Sequence, residues 1–389
     1  MHADTFIQTL FLIFTGAALI ATVALFLRQA LPVAYILLGM IIGPWGLGLT
    51  ADAAVVDGMA EIGIIFLLFL LGLNLEPREL LQMLREAVAI TAVTCIAFAA
   101  AGIAIGLLFG LDWLQALLVG LAMMFSSTII GLKLLPTSSL HHQRMGEIII
   151  AVLLLQDIIA IALILFIQGS ADSANPMLDV GLLLLSAPLL FLLSFVIARY
   201  ALMPLMQRFD RIQEYVFLLT IGWCLAIAYI GHLIGLSYEI AAFLAGVSIA
   251  TNPVSRFIAE TLKPLRDFFL IIFFVALGAG FNMGILPQIA LPAATLAVTM
   301  LVLKPLVFGW ALSRHRERPP VAREIGLRLG QVSEFSLLLA LVGLQSGMMT
   351  EEASYIIQAA TIFTFMVSSY VIVMRVPTPV ATNEALRRD

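Results

Sequence analysis

Charge is scarce in these 389 residues: Asp, Glu, Lys and Arg together make up 11%, under half of the roughly 25% usual in soluble domains. A chain so poor in charge cannot clothe a water-exposed surface, which excludes a sizeable soluble domain. Cysteine is nearly missing as well. Cys95 and Cys224 both sit inside apolar runs, so neither a disulfide framework nor a thiolate metal site is suggested. Basic residues number 20 against 24 acidic ones and lie in short scattered clusters, which gives no support for a nucleic-acid partner. No Gly-rich phosphate loop, zinc spacing or nucleophile elbow is present, no nucleophile can be placed with its base, and no cofactor is called for. The chain does not read as an enzyme. The paired loop histidines His141 and His142 read as bystanders or, at most, as a pH sensor.

What is there is apolar: 62% of the residues are hydrophobic and the mean hydropathy is +1.10. That composition predicts an all-α polytopic membrane protein. Breaks at Gly, Pro and charge clusters predict about thirteen transmembrane helices. Seven are expected near 6–27, 32–49, 59–75, 87–109, 114–135, 146–168 and 180–203, and six near 215–232, 238–250, 268–281, 286–312, 325–345 and 353–374. The first is read as a retained span, since Asp4 precedes a long apolar run and no basic n-region is present. The transport domain is expected over 1–376, with 377–389 as a short cytoplasmic tail.

The connections carry a strong asymmetry. Loops after odd-numbered spans hold 18 of the 20 Lys and Arg residues, from Arg28 through Arg314, Arg323 and Arg328 to Arg388; loops after even-numbered spans hold only acids such as Asp52, Asp112 and Glu351. By the positive-inside rule this predicts an inner-membrane protein with its N-terminus outside and its C-terminus in the cytoplasm. Only Lys133 and Lys304 remain inside apolar runs. Lys133, near a span end, is expected to snorkel.

Several polar residues lie where a bilayer tolerates few. Asp157 is twelfth of the 23 residues in span 6, so its carboxyl falls near mid-membrane from either end. An acid there persists only if protonated, paired or solvated, and each of those states suits a proton or cation carrier; a permanently protonated structural acid is the alternative. Gln156 precedes it and is expected to offer a neutral oxygen to a cation. Ser126, Ser127 and Thr128 fall near the middle of span 5, either lining the same site or merely back-bonding to carbonyls. Glu334 lies midway along span 12 in the string GQVSEFS, seven spans after the hydroxyl string. An odd offset means the two helices run in opposite directions, which is inverted-repeat geometry with unwound helices. Glu334 then either neutralises amide ends at the unwinding or serves as a protonated structural acid. Lys304, beside Pro305 in span 11, is expected to pair with Asp157 when no cation is bound, or else to snorkel.

The assembled strings resemble the Kef-type branch of the monovalent cation:proton antiporter superfamily. They are GMIIGPWGLGL, AEIGIIFLLFLLGLNLEP, FSSTIIGLKLL, VLLLQDIIAIAL, AAFLAGVSIA, FFVALGAGFN and GLRLGQVSEFSLLLA, in family order over nearly the whole chain. The resemblance implies a homodimer with a dimerisation part and a mobile core, two crossed discontinuous helices, and alternating access. It implies that Asp157 binds K+ or Na+ and H+ in competition, that Gln156, Ser126, Ser127 and Thr128 line that site, and that Lys304 and Glu334 compensate charge. A single acid at the centre favours electroneutral exchange. Three departures stand out: Asn74 where many relatives carry an acid, Val332 and Ser333 where Kef proteins have a glycine pair, and only 377–389 where they continue into a cytoplasmic nucleotide-binding regulatory domain. A cation channel and an inverted-repeat symporter of an organic anion are the rival readings.

Overall fold

The computed structural model describes residues 2–27, 29, 31–49, 53–73, 77–133, 144–171, 176–209, 211–234, 236, 238–250, 258, 261–315 and 317–376. Asn74, His141, His142 and the 377–389 tail lie outside them. The described residues are mostly helical, with no strand among them. In chain order the helices are α1 (His2–Phe26), α2 (Leu31–Ile42), α3 (Ala53–Leu73), α4 (Pro77–Leu108), α5 (Trp113–Met123), α6 (Thr128–Lys133), α7 (Arg144–Ala171) and α8 (Pro176–Ile197). They continue with α9 (Met203–Arg208), α10 (Gln213–Leu233), α11 (Tyr238–Ala250), α12 (Lys263–Gly280), α13 (Leu286–Arg314), α14 (Pro319–Arg328), α15 (Glu334–Gln345) and α16 (Glu351–Arg375). Among the described residues, six helices are long and apolar enough to cross a bilayer; shorter apolar helices, α5 and α15 among them, accompany these.

The chain divides into two compact units. The first comprises residues 1–20, 35–81 and 172–281. Its centre is α3, flanked by α11 and α12. Gly72 and Gly246 let α3 and α11 touch backbone to backbone, since a Cβ at either would collide with the carbonyl of Phe243 or Phe69. Small residues at a helix crossing are how membrane helices gain packing where lipid removes the hydrophobic drive. Ile13, Ala17, Leu38, Ile42, Ile272 and Val275 form a second buried apolar cluster in this unit.

The second unit comprises residues 21–34, 82–171 and 282–389. Two of its expected spans are interrupted. Where a single span 5 is expected, α5 stops at Met123, residues 125–127 are non-helical, and α6 starts at Thr128. Span 12 likewise splits into α14, a non-helical stretch at 330–333, and α15. The interruptions fall on the hydroxyl string and on GQVS, whose side chains bond locally to backbone and so compete with the helix ladder. One expectation is corrected here: Arg323 and Arg328 are not in a loop after span 11 but within α14, and Arg328 is wholly buried. Its burial is tolerable because Glu324, one helical turn earlier, accepts from its Nε at 3.1 Å and from a terminal nitrogen at 2.7 Å.

Candidate functional site

The two interruptions meet. Ser126 Oγ donates to the Leu329 carbonyl at 2.9 Å, Gln331 Nε2 donates to the Ser127 carbonyl at 3.3 Å, and Ser336 Oγ donates to the Ala122 carbonyl. Each break is thus held by the other. Gln331 adds a bond to the Arg328 carbonyl at 2.8 Å and accepts from Ser368 of α16 at 3.0 Å, while the Val332 amide donates to Thr364 Oγ1 at 3.1 Å. Unpaired backbone groups at membrane depth are costly, so broken helices persist only where side chains re-satisfy them.

Lys304 of α13 is fully buried at this crossing. Its Nζ donates to the carbonyls of Phe125 and Gln331, the latter at 3.2 Å, and to Ser126 Oγ at 3.4 Å. The ring of Phe98 lies 5.0 Å below the ammonium, adding a cation–π contact. An ammonium has three donors, and all three are spent. Among the described residues no ion pair joins Lys304 to Asp157; the ammonium lies on the Phe125 and Gln331 carbonyls, in the breaks at the C-terminal ends of α5 and α14. Those ends carry the negative pole of their half-helices. Lys304 does not snorkel: it is fully buried, with its ammonium held by main-chain carbonyls and the Ser126 hydroxyl.

Asp157 of α7 is 1% exposed. Thr128 Oγ1 donates to its Oδ2 at 3.4 Å, while Oδ1 is buried without a hydrogen-bond partner. Glu334, 6% exposed in the first turn of α15, lies within electrostatic reach of the Asp157 carboxyl. Ser333 caps that helix by accepting from the Phe335 amide at 3.1 Å, so Val332 and Ser333 break the helix without a glycine pair.

The other expected ligands do different work. Gln156 does not present a free oxygen beside Asp157: Oε1 accepts from the Ser126 amide at 2.9 Å and Nε2 donates to the Met124 carbonyl at 3.2 Å, so its amide replaces the helical bonds that α5 loses at its break. Ser127 Oγ accepts from the Ile130 amide at 3.2 Å and caps α6. Of the three hydroxyls only Thr128 reaches Asp157. All seven expected site residues nevertheless converge on one crossing within one unit.

A sodium/hydrogen exchanger transmembrane model matches residues 11–376. The chain belongs to this exchanger family. Within it, the chain is 33% identical over 352 residues to the glutathione-regulated potassium-efflux system protein KefC of Klebsiella pneumoniae strain 342, covering 87% of this chain and 55% of that protein. KefC of Escherichia coli O6:K15:H31 is 33% identical over 353 residues with the same coverage. The chain thus spans about half the length of the curated relatives it matches, and the Kef-type resemblance of its motifs holds. Its fold matches the solved sodium proton antiporter MjNhaP1 of Methanocaldococcus jannaschii with a TM-score of 0.70 at 19% identity, over 95% of this chain and 96% of that one.

Sequence reasoning passed over Gln331, Thr364, Ser368 and Phe98. Gln331 was signalled, since it lies inside the same polar string as Glu334. The other three carry ordinary membrane-helix residue types, and only their contacts reveal them.

Proposed function

We propose that this exchanger moves a monovalent cation, K+ or Na+, against H+, with Asp157 as the group that either ion occupies in turn. The observation that carries the reading is a mid-helix carboxyl, 1% exposed, with one oxygen unpartnered at the meeting point of two broken helices. A bare carboxylate in a low-dielectric interior costs several kcal/mol. A proton or a cation removes that cost, so the loaded carrier crosses the barrier and the empty one does not, and the two fluxes become coupled. Thr128 orients Oδ2 and leaves Oδ1 to the arriving ion. One titrating acid exchanges one charge for one charge, which makes the cycle electroneutral.

Lys304 supports exchange over a channel, because the carbonyls that would line a filter are filled by its ammonium. We further assign the second unit as the moving core, since it contains the whole site, and the first unit as the part through which two copies of the chain associate.

The test is proton movement in proteoliposomes on addition of K+, Na+, Rb+ or Li+. K+ or Na+ should drive it, clamping the membrane potential should leave it unchanged, and Asp157→Asn should reduce it to the level of empty liposomes. Undiminished exchange in Asp157→Asn would overturn the reading.

A further inference from the structure

Where α13, α14 and the last turn of α16 come together, a cleft of about 600 Å³ opens to the surface, lined by Pro319, Arg323, Leu327 and Arg375 among others. It continues as a groove along Pro305, Leu306 and Gly309 of α13. We propose that this cleft and groove bind one anionic phospholipid, its phosphate held by Arg323 and Arg375 and an acyl chain lying along α13.

Both arginines are exposed, and among the described residues neither enters an ion pair. The acid in the cleft, Glu324, is already engaged by two nitrogens of Arg328. Two guanidinium forks facing one cleft suit a phosphate, which accepts bidentate bonds from each. Other donors are few. Pro319 and Pro320 open α14 without N–H groups, and Ser313 has spent its hydroxyl on the Gly309 carbonyl at 2.7 Å. Charge recognition therefore falls on the two arginines.

The groove asks for something a free anion lacks. A Cβ at Gly309 would meet nothing within 4 Å, and the neighbouring Leu306 and Trp310 are exposed on the same helix. Such a face in a membrane-spanning chain is covered by lipid tail. A ligand with a phosphate at one end and a hydrocarbon at the other satisfies both parts of the site, and basic pockets between membrane helices are where acidic headgroups settle. The site has a further consequence. Arg323 lies on α14, whose other end delivers the Leu329 and Arg328 carbonyls to the crossing, so a lipid held here braces the first half of the broken helix. Gly326 transmits this firmly, since a Cβ there would stand only 2.6 Å from the Pro305 carbonyl of α13.

The experiment is native mass spectrometry of the full chain in detergent with equal amounts of dioleoyl phosphatidylglycerol and dioleoyl phosphatidylcholine. Wild type should retain the glycerol lipid over the choline lipid by about tenfold, equivalent to ~1.4 kcal/mol. Arg323→Gln with Arg375→Gln should bring the ratio near one, while Arg208→Gln with Arg211→Gln should leave it unchanged. Gly309→Leu, which fills the groove and keeps both charges, should also lower it and carries the test if the double variant does not fold. No preference in wild type, an unchanged ratio in the double variant or in Gly309→Leu, or equal competition by inorganic phosphate would each overturn the proposal. The last of these would mark a site for a soluble anion, and the first would leave the arginines to an acidic protein partner.

Discussion

Lys304 is the residue whose placement changes the chemistry most. A buried ammonium is stable only when its desolvation is offset, and here two backbone carbonyls, one hydroxyl and one aromatic face do so. Removing it strands the Phe125 and Gln331 carbonyls at the crossing. Lys304→Ala is expected to lower stability by about 1–3 kcal/mol for each carbonyl left unpaired, read from chemical unfolding in detergent. The same reasoning separates this arrangement from a Lys–Asp ion pair. In a double-mutant cycle, Lys304→Ala and Asp157→Asn should be additive to within about 0.5 kcal/mol; a coupling of several kcal/mol would show that the ammonium answers to the carboxylate after all. Thr128 is a lighter case. Its bond to Asp157 is long at 3.4 Å, so Thr128→Val should cost about 1 kcal/mol, or roughly fivefold in the cation concentration that half-saturates exchange. Ser127→Ala, which touches a cap and not the acid, should leave that concentration unchanged.

At the scale of the element, a helix that stops inside a membrane must find partners for its loose ends, and the two breaks solve this differently. The α15 end uses Ser333 as its cap and Thr364 to hold the Val332 amide. Ser333→Ala is expected to cost about 1 kcal/mol and Ser333→Gly only a few tenths. Thr364→Val, which leaves the Val332 amide buried and unpaired, should cost about 1–3 kcal/mol; thermal unfolding of the purified variants checks the order. The breaks themselves were legible in the sequence, because runs of Ser, Thr and Gln at mid-span are poor helix interiors. What the breaks bind was not legible. Lys304 and Gln156 bond to main-chain carbonyls and amides, which every residue carries, so no side-chain pattern names them. Arg328 shows the opposite error: the Glu324 to Arg328 spacing was visible, yet the loop-charge count drew it out of the helix that buries it.

For the whole molecule, the expected site residues come from the break that follows α5 and from α6, α7, α13 and α15, brought together in one of two units although the chain leaves that unit for residues 172–281. A site assembled from such distant segments exists only while the fold does, so an ion that binds it stabilises the entire unit by mass action. A cation present at 100 times its dissociation constant adds about 2.7 kcal/mol to the native state. Wild type should therefore gain thermal stability with rising K+ or Na+, and Asp157→Asn should not. Protons compete for the same carboxyl, so the gain at fixed cation concentration should shrink as pH falls. The direction follows from occupancy alone: a protonated Asp157 offers no anion to the cation, and raising pH empties it again. Cation stabilisation that grows toward acid pH, or that persists in full when Asp157 is replaced, would place the ion somewhere other than this carboxyl.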